Sequence, residues 1–300
     1  MLEGYIKQAL ARTGIRPSRE RGQHFLIDDS VLAAVVNAAR LDGSEIVVEI
    51  GPGLGTLTQS LARRAFRVHA FELDDQLSRY LQQWVVPEYP NFVLHDVSFN
   101  KYMFEPVIEE AKSEGRPLKI VTNLPYQIST QFLQTVAEYA DDISLVVVML
   151  QREVAQRVAA KPGMPNFGSF SVYMQTFVDV RWVIDVPPTS FMPPPRVNSA
   201  VISLTPLSDA QQPKPANPQR YFKLVRGVFK HRRKTIANAL QLTFPHLNAP
   251  SAAEVLRLSE INTVLRPQNL SQDDYVRLAD AVETLPVADA TCMPEGDEEE

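Results

Sequence analysis

The sequence predicts an α/β fold with a mostly parallel sheet, followed by a small helical domain. Short apolar segments of strand length alternate with helical patterns through the first half of the chain, and this order is typical of a parallel sheet with helices on both faces. After a stretch rich in Pro, Gln and Ala at 206–218, the patterns are short and helical up to about residue 285, which indicates a separate helical domain.

The elements of the first domain can be placed in order. A buried strand at 46–51 runs into glycines, and a helix follows at 56–64. We expect further strands at 67–72, 92–94, 118–122 and 144–150, and helices at 75–84, 104–114, 130–139 and 152–160. The strand-like runs 172–186 and 197–204 bracket several prolines, and we interpret them as an antiparallel hairpin that closes the sheet.

These patterns predict five segments. They are an N-terminal extension at 1–21, a main domain at 22–206, a linker at 207–218, a helical domain at 219–285 and an acidic, disordered tail at 286–300. No apolar run approaches the length of a membrane span, and we expect no secretory or transit peptide. Cys292 is the only cysteine, which fits a reducing cytosol and argues against disulfides and thiolate metal sites.

The charge of the chain is unevenly distributed. The net charge is −5, but eight acidic residues and no Lys or Arg lie from residue 278 to the end, so the rest has 30 basic and 27 acidic residues. Residues 210–253 have eight Lys and Arg and no Asp or Glu. Such a segment is typical of a surface that binds a phosphate backbone, although a solvated helix face has the same pattern. The candidate RNA-binding residues are Arg220, Lys223, Lys230, Arg232, Arg233 and Lys234.

A glycine-rich turn after the first long strand predicts a nucleoside site. Gly51, Gly53 and Gly55 would let the backbone pass close to a ligand, and Glu72, at the end of the next strand, could bind both hydroxyls of a ribose. The glycine spacing differs from that of pyrophosphate-binding turns, and there is no phosphate-binding lysine, so a ligand without phosphates fits better. Asp96, after the third strand, could accept a hydrogen bond from an adenine amine, or could simply cap a turn.

Asn123-Leu124-Pro125-Tyr126 follows the fourth strand and predicts methylation of an amine. The lone pair of an adenine amine is delocalised into the ring, so the amine is a poor nucleophile. The Asn123 carboxamide and the carbonyl of Leu124 or Pro125 could each accept one N–H, which favours a pyramidal nitrogen and stabilises the developing positive charge. Tyr126 could stack on the base. As an isolated tetrapeptide the motif would indicate only a turn, but its position downstream of the glycines and Glu72 favours a catalytic site.

The ordered motifs resemble those of the ribosomal RNA adenine N6-dimethyltransferases, whose relatives include the Erm resistance methyltransferases. The resemblance covers about residues 19–282. The matching stretches are Gly22–Leu26, Glu49–Gly55, Phe71–Asp74, Asn123–Tyr126, Gln151–Ala155, Lys161–Gly163, Phe191–Val197, Phe229–Leu240 and Arg266–Ser271. It implies a class I S-adenosylmethionine-dependent methyltransferase fold, Rossmann-like with a mostly parallel seven-stranded sheet, and a small C-terminal helical domain.

The resemblance also implies roles for individual residues. The cofactor S-adenosylmethionine would contact His24, Leu26, Gly51, Gly53, Gly55, Glu72, Asp96 and Asn123. The target base would contact Asn123, Leu124, Pro125 and Tyr126, and Phe191 would stack on its other face unless it is a core aromatic residue. The sequence departs from the family pattern at 163–168, at Asn198 and at His24, positions that bear on RNA fit, local turns or a contact made through the backbone.

The resemblance implies dimethylation of two adjacent adenosines in a 3′-terminal hairpin loop of small-subunit rRNA. The expected partner is this rRNA within a pre-30S subunit, bound by a cytoplasmic monomer without a metal or a membrane contact. Two alternatives remain: an Erm-type enzyme of 23S rRNA, and a non-catalytic RNA-binding or transcription factor on the same fold. The basic segment after Phe229 favours the small-subunit enzyme, and intact Glu72, Asn123 and Tyr126 argue against the non-catalytic protein.

Overall fold

A computed structural model describes residues 2–18, 22–208 and 210–284. Contacts between residues divide the chain into two compact units, the first formed by Met1–Ala159 with Phe177–Ala210 and the second by Ala160–Thr176 with Gln211–Glu300. Residues 160–176 therefore group with the C-terminal segment, although the sequence patterns placed them in the main domain. The acidic tail predicted at 286–300 lies outside the described residues.

The described part of the first unit contains a seven-stranded sheet with the order β4-β3-β2-β5-β6-β9-β7. Its strands are β2 (Ile46–Ile50), β3 (Arg67–Phe71), β4 (Phe92–His95), β5 (Leu118–Asn123), β6 (Leu145–Gln151), β7 (Val178–Val186) and β9 (Ser199–Pro206). Strands β2 to β6 pair parallel with one another, whereas β9 is antiparallel to both β6 and β7. This confirms the predicted fold class, including the antiparallel pair that closes the sheet.

Helices alternate with these strands; those between residues 56 and 159 were predicted, whereas the helix at 29–38 was not. Their bounds are α2 (Asp29–Ala38), α3 (Thr56–Ala62), α4 (Asp75–Trp84), α5 (Lys101–Ser113), α6 (Ser129–Glu138) and α7 (Arg152–Ala159). Helix α4 begins after Asp74, whose carboxylate accepts hydrogen bonds from the backbone N–H groups of Gln76 and Leu77, satisfying donors that have no partner within the helix. All five residues of β2 are buried, as expected of a strand covered on both faces.

Two further features of the first unit were not predicted. Helix α1 (Leu2–Thr13) lies in the N-terminal extension, and its residues Leu2, Ile6 and Ala9 belong to the hydrophobic core. A second sheet consists of β1 (Phe25–Leu26) and β8 (Phe191–Met192), paired antiparallel. Strands of two residues are too short to produce a periodic pattern.

The strand predicted at 172–186 is wrong in its first part. Residues Ser169–Phe177 form helix α8, and only 178–186 form a strand. The buried residues of α8 are Ser171, Val172, Met174, Gln175 and Thr176, a distribution with helical rather than alternating spacing. Gln175 donates to the carbonyl of Ala160 at 2.8 Å, a contact within the second unit that the local sequence pattern does not contain.

The second unit is helical, as predicted. Its further helices are α9 (Pro218–Lys230), α10 (Ile236–Thr243), α11 (Ala249–Leu258) and α12 (Gln272–Thr284). They enclose an apolar core that includes Tyr221 and Tyr275, both fully buried. Among the described residues, no helix is both long and apolar enough to cross a bilayer.

Candidate active site

A cavity of about 980 Å³ lies at the carboxyl ends of the central strands of the first unit. The ends of β2, β3 and β5 meet at this edge of the sheet, where α/β proteins commonly bind ligands. The lining includes Gly51, Gly53, Glu72, Asn123 and Tyr126. The glycine turn, the acid at the end of β3 and the motif after β5, separate in the sequence, are therefore neighbours in the structure.

The glycine turn is closely packed. Gly51 has φ +68°, and a Cβ atom there would lie 3.0 Å from Pro125 Cγ, so this glycine lets the end of β2 approach the Asn123–Tyr126 motif. Gly55 has φ +75°, and a Cβ there would lie 3.1 Å from Leu81 and Val85. The requirement for glycine at Gly55 thus comes from packing against α4, whereas Gly51 and Gly53 line the cavity.

Two buried carboxyl groups lie beside the glycine turn. Glu72 is 6% exposed, and it accepts hydrogen bonds from the backbone N–H groups of Gly53 at 3.2 Å and Asp74 at 2.9 Å. Burial raises its pKa, and the two backbone bonds oppose that shift. Glu49 is 2% exposed and accepts from the Thr58 hydroxyl at 2.6 Å; burial raises its pKa to about 8.

These residues fit the nucleoside part of S-adenosylmethionine. A carboxylate has about four acceptor positions, and Glu72 uses two on backbone donors, so two remain for ribose hydroxyls. Gly51 and Gly53 line the cavity without a side chain, which leaves space beside the backbone. S-adenosylmethionine is the methyl donor that the resemblance implies.

Asp96 occupies a different environment from that of Glu72. It is exposed, and its carboxylate accepts a hydrogen bond from the Ser78 hydroxyl of α4 at 2.8 Å. The cavity lining at this edge comes from Ser98 and Phe99. The expected contact between Asp96 and an adenine amine stays a prediction.

The Asn123–Tyr126 motif presents two backbone carbonyls with different surroundings. Asn123 ends β5 and pairs with Met149 of β6. The N–H of Ile128 donates to the Pro125 carbonyl at 3.2 Å. Within the described residues, neither the Asn123 carboxamide nor the Leu124 carbonyl accepts a hydrogen bond. Of the two carbonyls that the sequence left open, Leu124 is therefore the better acceptor for a target amine.

The Tyr126 side chain is fixed by two contacts. Its hydroxyl forms a hydrogen bond of 2.6 Å with the Ser199 hydroxyl, and burial raises its pKa. Its ring stacks on His24, with ring centroids 6.2 Å apart. His24 Nδ1 lies 2.7 Å from the Pro193 carbonyl, which can only accept, so Nδ1 is the protonated nitrogen. Tyr126 is thus held in one orientation at the cavity wall.

Phe191 is not placed as expected. Its side chain is 2% exposed and belongs to the hydrophobic core of the first unit, opposite Leu26 in the β1–β8 pair. A ring covered by core residues offers no face to a base in this conformation, so the alternative of a core aromatic residue describes it better. Leu26, by contrast, is buried and also lines the cavity.

The candidate RNA-binding residues of the second unit fall into two groups. Lys223 and Lys230 are exposed on α9 and line a groove of about 630 Å³, and Arg232, Arg233 and Lys234 are exposed after that helix. Arg220, however, forms an ion pair of 2.7 Å with Glu283 of α12, so its charge is largely neutralised. Arg220 therefore connects α9 with α12, and we do not group it with the exposed cations as a candidate for RNA binding.

Sequence reasoning missed several residues. Arg226 lines the same groove as Lys223 and Lys230, and its helical spacing from them was a usable signal. Ser199, which holds Tyr126, lies 73 residues away from it along the chain, so no local pattern could have indicated it. The hydrogen bond between Thr58 and Glu49 could not be predicted from a motif either, because both residue types occur widely.

Comparisons with known proteins show the family of the chain. The family model described as ribosomal RNA adenine dimethylase matches residues 16–283. The ribosomal RNA small subunit methyltransferase A of Lachnoclostridium phytofermentans is 37% identical over 264 residues, 87% of this chain and 90% of the relative. That of Lactococcus lactis is 36% identical over 273 residues, 91% and 92% of the two chains.

Two solved structures share the fold. A dimethyladenosine transferase from Plasmodium falciparum superposes with a TM-score of 0.70 at 23% identity, covering 85% of this chain and 96% of that one. The 23S rRNA methyltransferase ErmE gives 0.66 at 21% identity, covering 87% and 100%. Since the family model spans most of the sequence and the relatives match along nearly their whole length, the chain belongs to the ribosomal RNA adenine dimethylase family.

Proposed function

We propose that this protein transfers methyl groups from S-adenosylmethionine to N6 of two adjacent adenosines in a 3′-terminal hairpin loop of small-subunit rRNA. The product would be N6,N6-dimethyladenosine, formed during small-subunit biogenesis. The observation behind the proposal is that the Asn123 carboxamide and the Leu124 carbonyl, both without partners among the described residues, adjoin the cavity lined by Gly51, Gly53 and Glu72.

The cofactor would lie against the glycine turn. Glu72 would accept both ribose hydroxyls, while its bonds from Gly53 and Asp74 fix its orientation. His24, Leu26 and Asn123 line the same cavity and would contact the remainder of the cofactor. Asp96 accepts one bond from Ser78 and has further acceptor positions with which it would bind an adenine amine. When bound, S-adenosylmethionine supplies an electrophilic methyl group on a sulfonium.

The target amine would be bound by acceptors alone. Asn123 Oδ1 and the Leu124 carbonyl would each accept one N–H, so that the nitrogen becomes pyramidal and its lone pair is free to form the new N–C bond as the methyl–sulfur bond breaks and its electron pair stays on sulfur. Both acceptors also stabilise the positive charge that develops on nitrogen, and they interact more weakly with the flat ground state. The methylated nitrogen would then lose a proton to solvent. No side chain with a shifted pKa is needed to remove it, because the amine becomes acidic only on methylation.

The target base would stack on Tyr126. The Ser199 hydroxyl is hydrogen-bonded to the hydroxyl of Tyr126, and the His24 ring stacks on the Tyr126 ring. The Tyr126 side chain would therefore lose little conformational freedom when the base binds. A target adenosine must leave its helix to enter the cavity, and this is least costly in a loop or at a helix end. These requirements favour single-stranded adenosines over paired ones.

The second unit would bind the surrounding RNA. Lys223, Lys230, Arg232, Arg233 and Lys234 are exposed, and such cations bind phosphates without reading sequence. We propose a monomer that acts on a pre-30S subunit in the cytoplasm. The small-subunit assignment is favoured over 23S rRNA because relatives that are 36% and 37% identical are named small-subunit methyltransferases, whereas the 23S rRNA methyltransferase ErmE is 21% identical.

Incorporation of labelled methyl groups tests the proposal. Purified protein would be given S-adenosylmethionine and, separately, unmodified small subunits, large subunits and their extracted RNAs. Label in small-subunit RNA supports the proposed function. Label in large-subunit RNA would indicate the Erm-type reaction, and no label in any substrate would indicate a non-catalytic protein.

A further inference from the structure

Helix α1 lies before residue 16, where the family match begins, yet it contacts the glycine turn directly. The Tyr5 hydroxyl of this helix donates to the Leu54 carbonyl at 3.0 Å, and Leu54 is part of the turn that lines the cavity. We propose that Tyr5 is a positioning residue for cofactor binding, which fixes the glycine turn from outside the cavity. This inference rests on the proposed use of S-adenosylmethionine.

The hydrogen bonds around Tyr5 allow only one arrangement. Its oxygen lies 2.8 Å from the Tyr80 hydroxyl and 2.8 Å from Gln59 Nε2. A phenol has one proton and two acceptor positions. Because the Leu54 carbonyl cannot donate, the proton of Tyr5 points to Leu54, and Tyr80 and Gln59 both donate to the Tyr5 oxygen. All three positions on Tyr5 are therefore used.

Two further residues of this network, Tyr89 and Arg63, orient the side chain of Gln59. Tyr89 donates to Gln59 Oε1 at 3.4 Å, and Arg63 donates to the Tyr89 hydroxyl at 2.7 Å. With Gln59 Oε1 accepting from Tyr89, its amide nitrogen must face Tyr5. Burial raises the pKa of Tyr5, so its hydroxyl keeps the proton that it donates to Leu54.

Helix α1 is firmly attached to the first unit. Leu2, Ile6 and Ala9 are buried in the core, and the guanidinium of Arg12 lies 4.4 Å from the centre of the Trp84 ring, a distance typical of a cation–π contact. Tyr5 is thus presented by a fixed helix rather than by a free chain end.

The glycine turn then has two attachments. On the cavity side, Glu72 accepts the Gly53 N–H at 3.2 Å, and on the opposite side Tyr5 donates to the Leu54 carbonyl. Leu54 itself is 1% exposed. Without the Tyr5 hydroxyl its carbonyl would lose a partner at a buried site, where an unpaired polar group is costly. The turn would then be less ordered in the cofactor-free protein. Binding of the cofactor would have to order it again, which lowers the affinity.

The test compares Tyr5→Phe with Tyr80→Phe. Tyr5→Phe removes the bond to Leu54 and keeps the ring, whereas Tyr80→Phe removes a buried hydroxyl from the same network and leaves the Tyr5–Leu54 bond in place. By calorimetry, Tyr5→Phe should weaken S-adenosylmethionine binding about three- to tenfold, the range expected for one lost hydrogen bond. Tyr80→Phe should change it less than about twofold. The KM for RNA and kcat at saturating cofactor should stay within about twofold in both variants.

Cofactor affinity unchanged in Tyr5→Phe would overturn the inference, as would an equal loss in both variants, which would indicate general destabilisation. Hydrogen exchange in the cofactor-free protein gives a second readout. The Gly55 amide, which donates to the Pro52 carbonyl, should exchange faster in Tyr5→Phe than in the parent or in Tyr80→Phe. If the parent itself does not bind S-adenosylmethionine, the proposed function fails, and the exchange rates still decide whether Tyr5 fixes the turn.

Discussion

Replacing Glu49 with glutamine should raise the free energy of unfolding, and this increase should become larger as the pH rises. Glu49 is fully buried, with a pKa raised from its ordinary value of 4.5 to about 8. The raised value means that the folded protein holds the neutral carboxyl group. Its contribution to stability is fully present below the unfolded pKa of 4.5 and is lost as pH rises through about 8.

The size of the effect follows from the shift. One pKa unit corresponds to about 1.4 kcal/mol, so the shift from 4.5 to about 8 corresponds to about 5 kcal/mol in total. At pH 7 about 3 kcal/mol of that has already been lost. Glutamine is neutral throughout and has a side-chain oxygen that can accept the Thr58 hydroxyl. The advantage of Glu49→Gln should therefore rise by about 2–3 kcal/mol between pH 5 and pH 7.

Urea unfolding of the cofactor-free protein at several pH values measures this difference. The control is Glu109→Gln, because Glu109 is 75% exposed on α5, and that variant should follow the parent at every pH. Parallel stability curves for the parent and Glu49→Gln would refute the reasoning, since they would mean that Glu49 titrates alike in the folded and unfolded chains.

Three further predictions concern the two units. Glu72→Gln should weaken S-adenosylmethionine binding about 10- to 100-fold in calorimetry, because hydrogen bonds to a charged acceptor contribute about 1.5–3 kcal/mol; binding at parental affinity would exclude Glu72 as the ribose ligand. Gly55→Ala should lower the unfolding free energy by about 1–3 kcal/mol, because its φ is positive and its Cβ would crowd Leu81 and Val85; unchanged thermal unfolding would contradict this. Lys223→Ala should reduce the slope of log affinity for RNA against log salt by about 0.7–0.9. Arg220→Ala breaks the ion pair with Glu283 and should mainly lower thermal stability. If Lys223→Ala instead lowered stability and Arg220→Ala changed the salt slope, the separation of Arg220 from the exposed cations would be contradicted.

Much of the first unit could be predicted because its strands are continuous apolar segments. Strand β2 is buried at every position, and its sequence has no polar interruption except Glu49. Where burial depends on distant contacts, prediction failed. Residues 172–177 have the composition of a strand, but contacts such as that of Gln175 with Ala160 accompany a helix there. Local preference is weak enough for tertiary packing to override it.

The motifs of the candidate site could be predicted from the sequence, but the residues that hold these motifs in position could not. The glycine turn, Glu72 and Asn123 follow strand ends, so their meeting could be expected from the topology. The residues that hold them come from elsewhere: Ser199 holds Tyr126, and Tyr5 holds Leu54. Phe191 differs, because the resemblance suggested that its ring stacks on the target base, with a core aromatic residue as the alternative, and the side chain is buried in the core at the β1–β8 pair.

Mapping the methylated nucleotides after reaction with unmodified small subunits tests the central proposal most directly. The parent should produce N6,N6-dimethyladenosine at two adjacent positions in a 3′-terminal hairpin loop. Asn123→Ala should be slower by about 10²–10³, the usual cost of removing one acceptor or donor that stabilises a transition state. Full methylation by Asn123→Ala, or methyl groups found only in large-subunit RNA, would contradict the account.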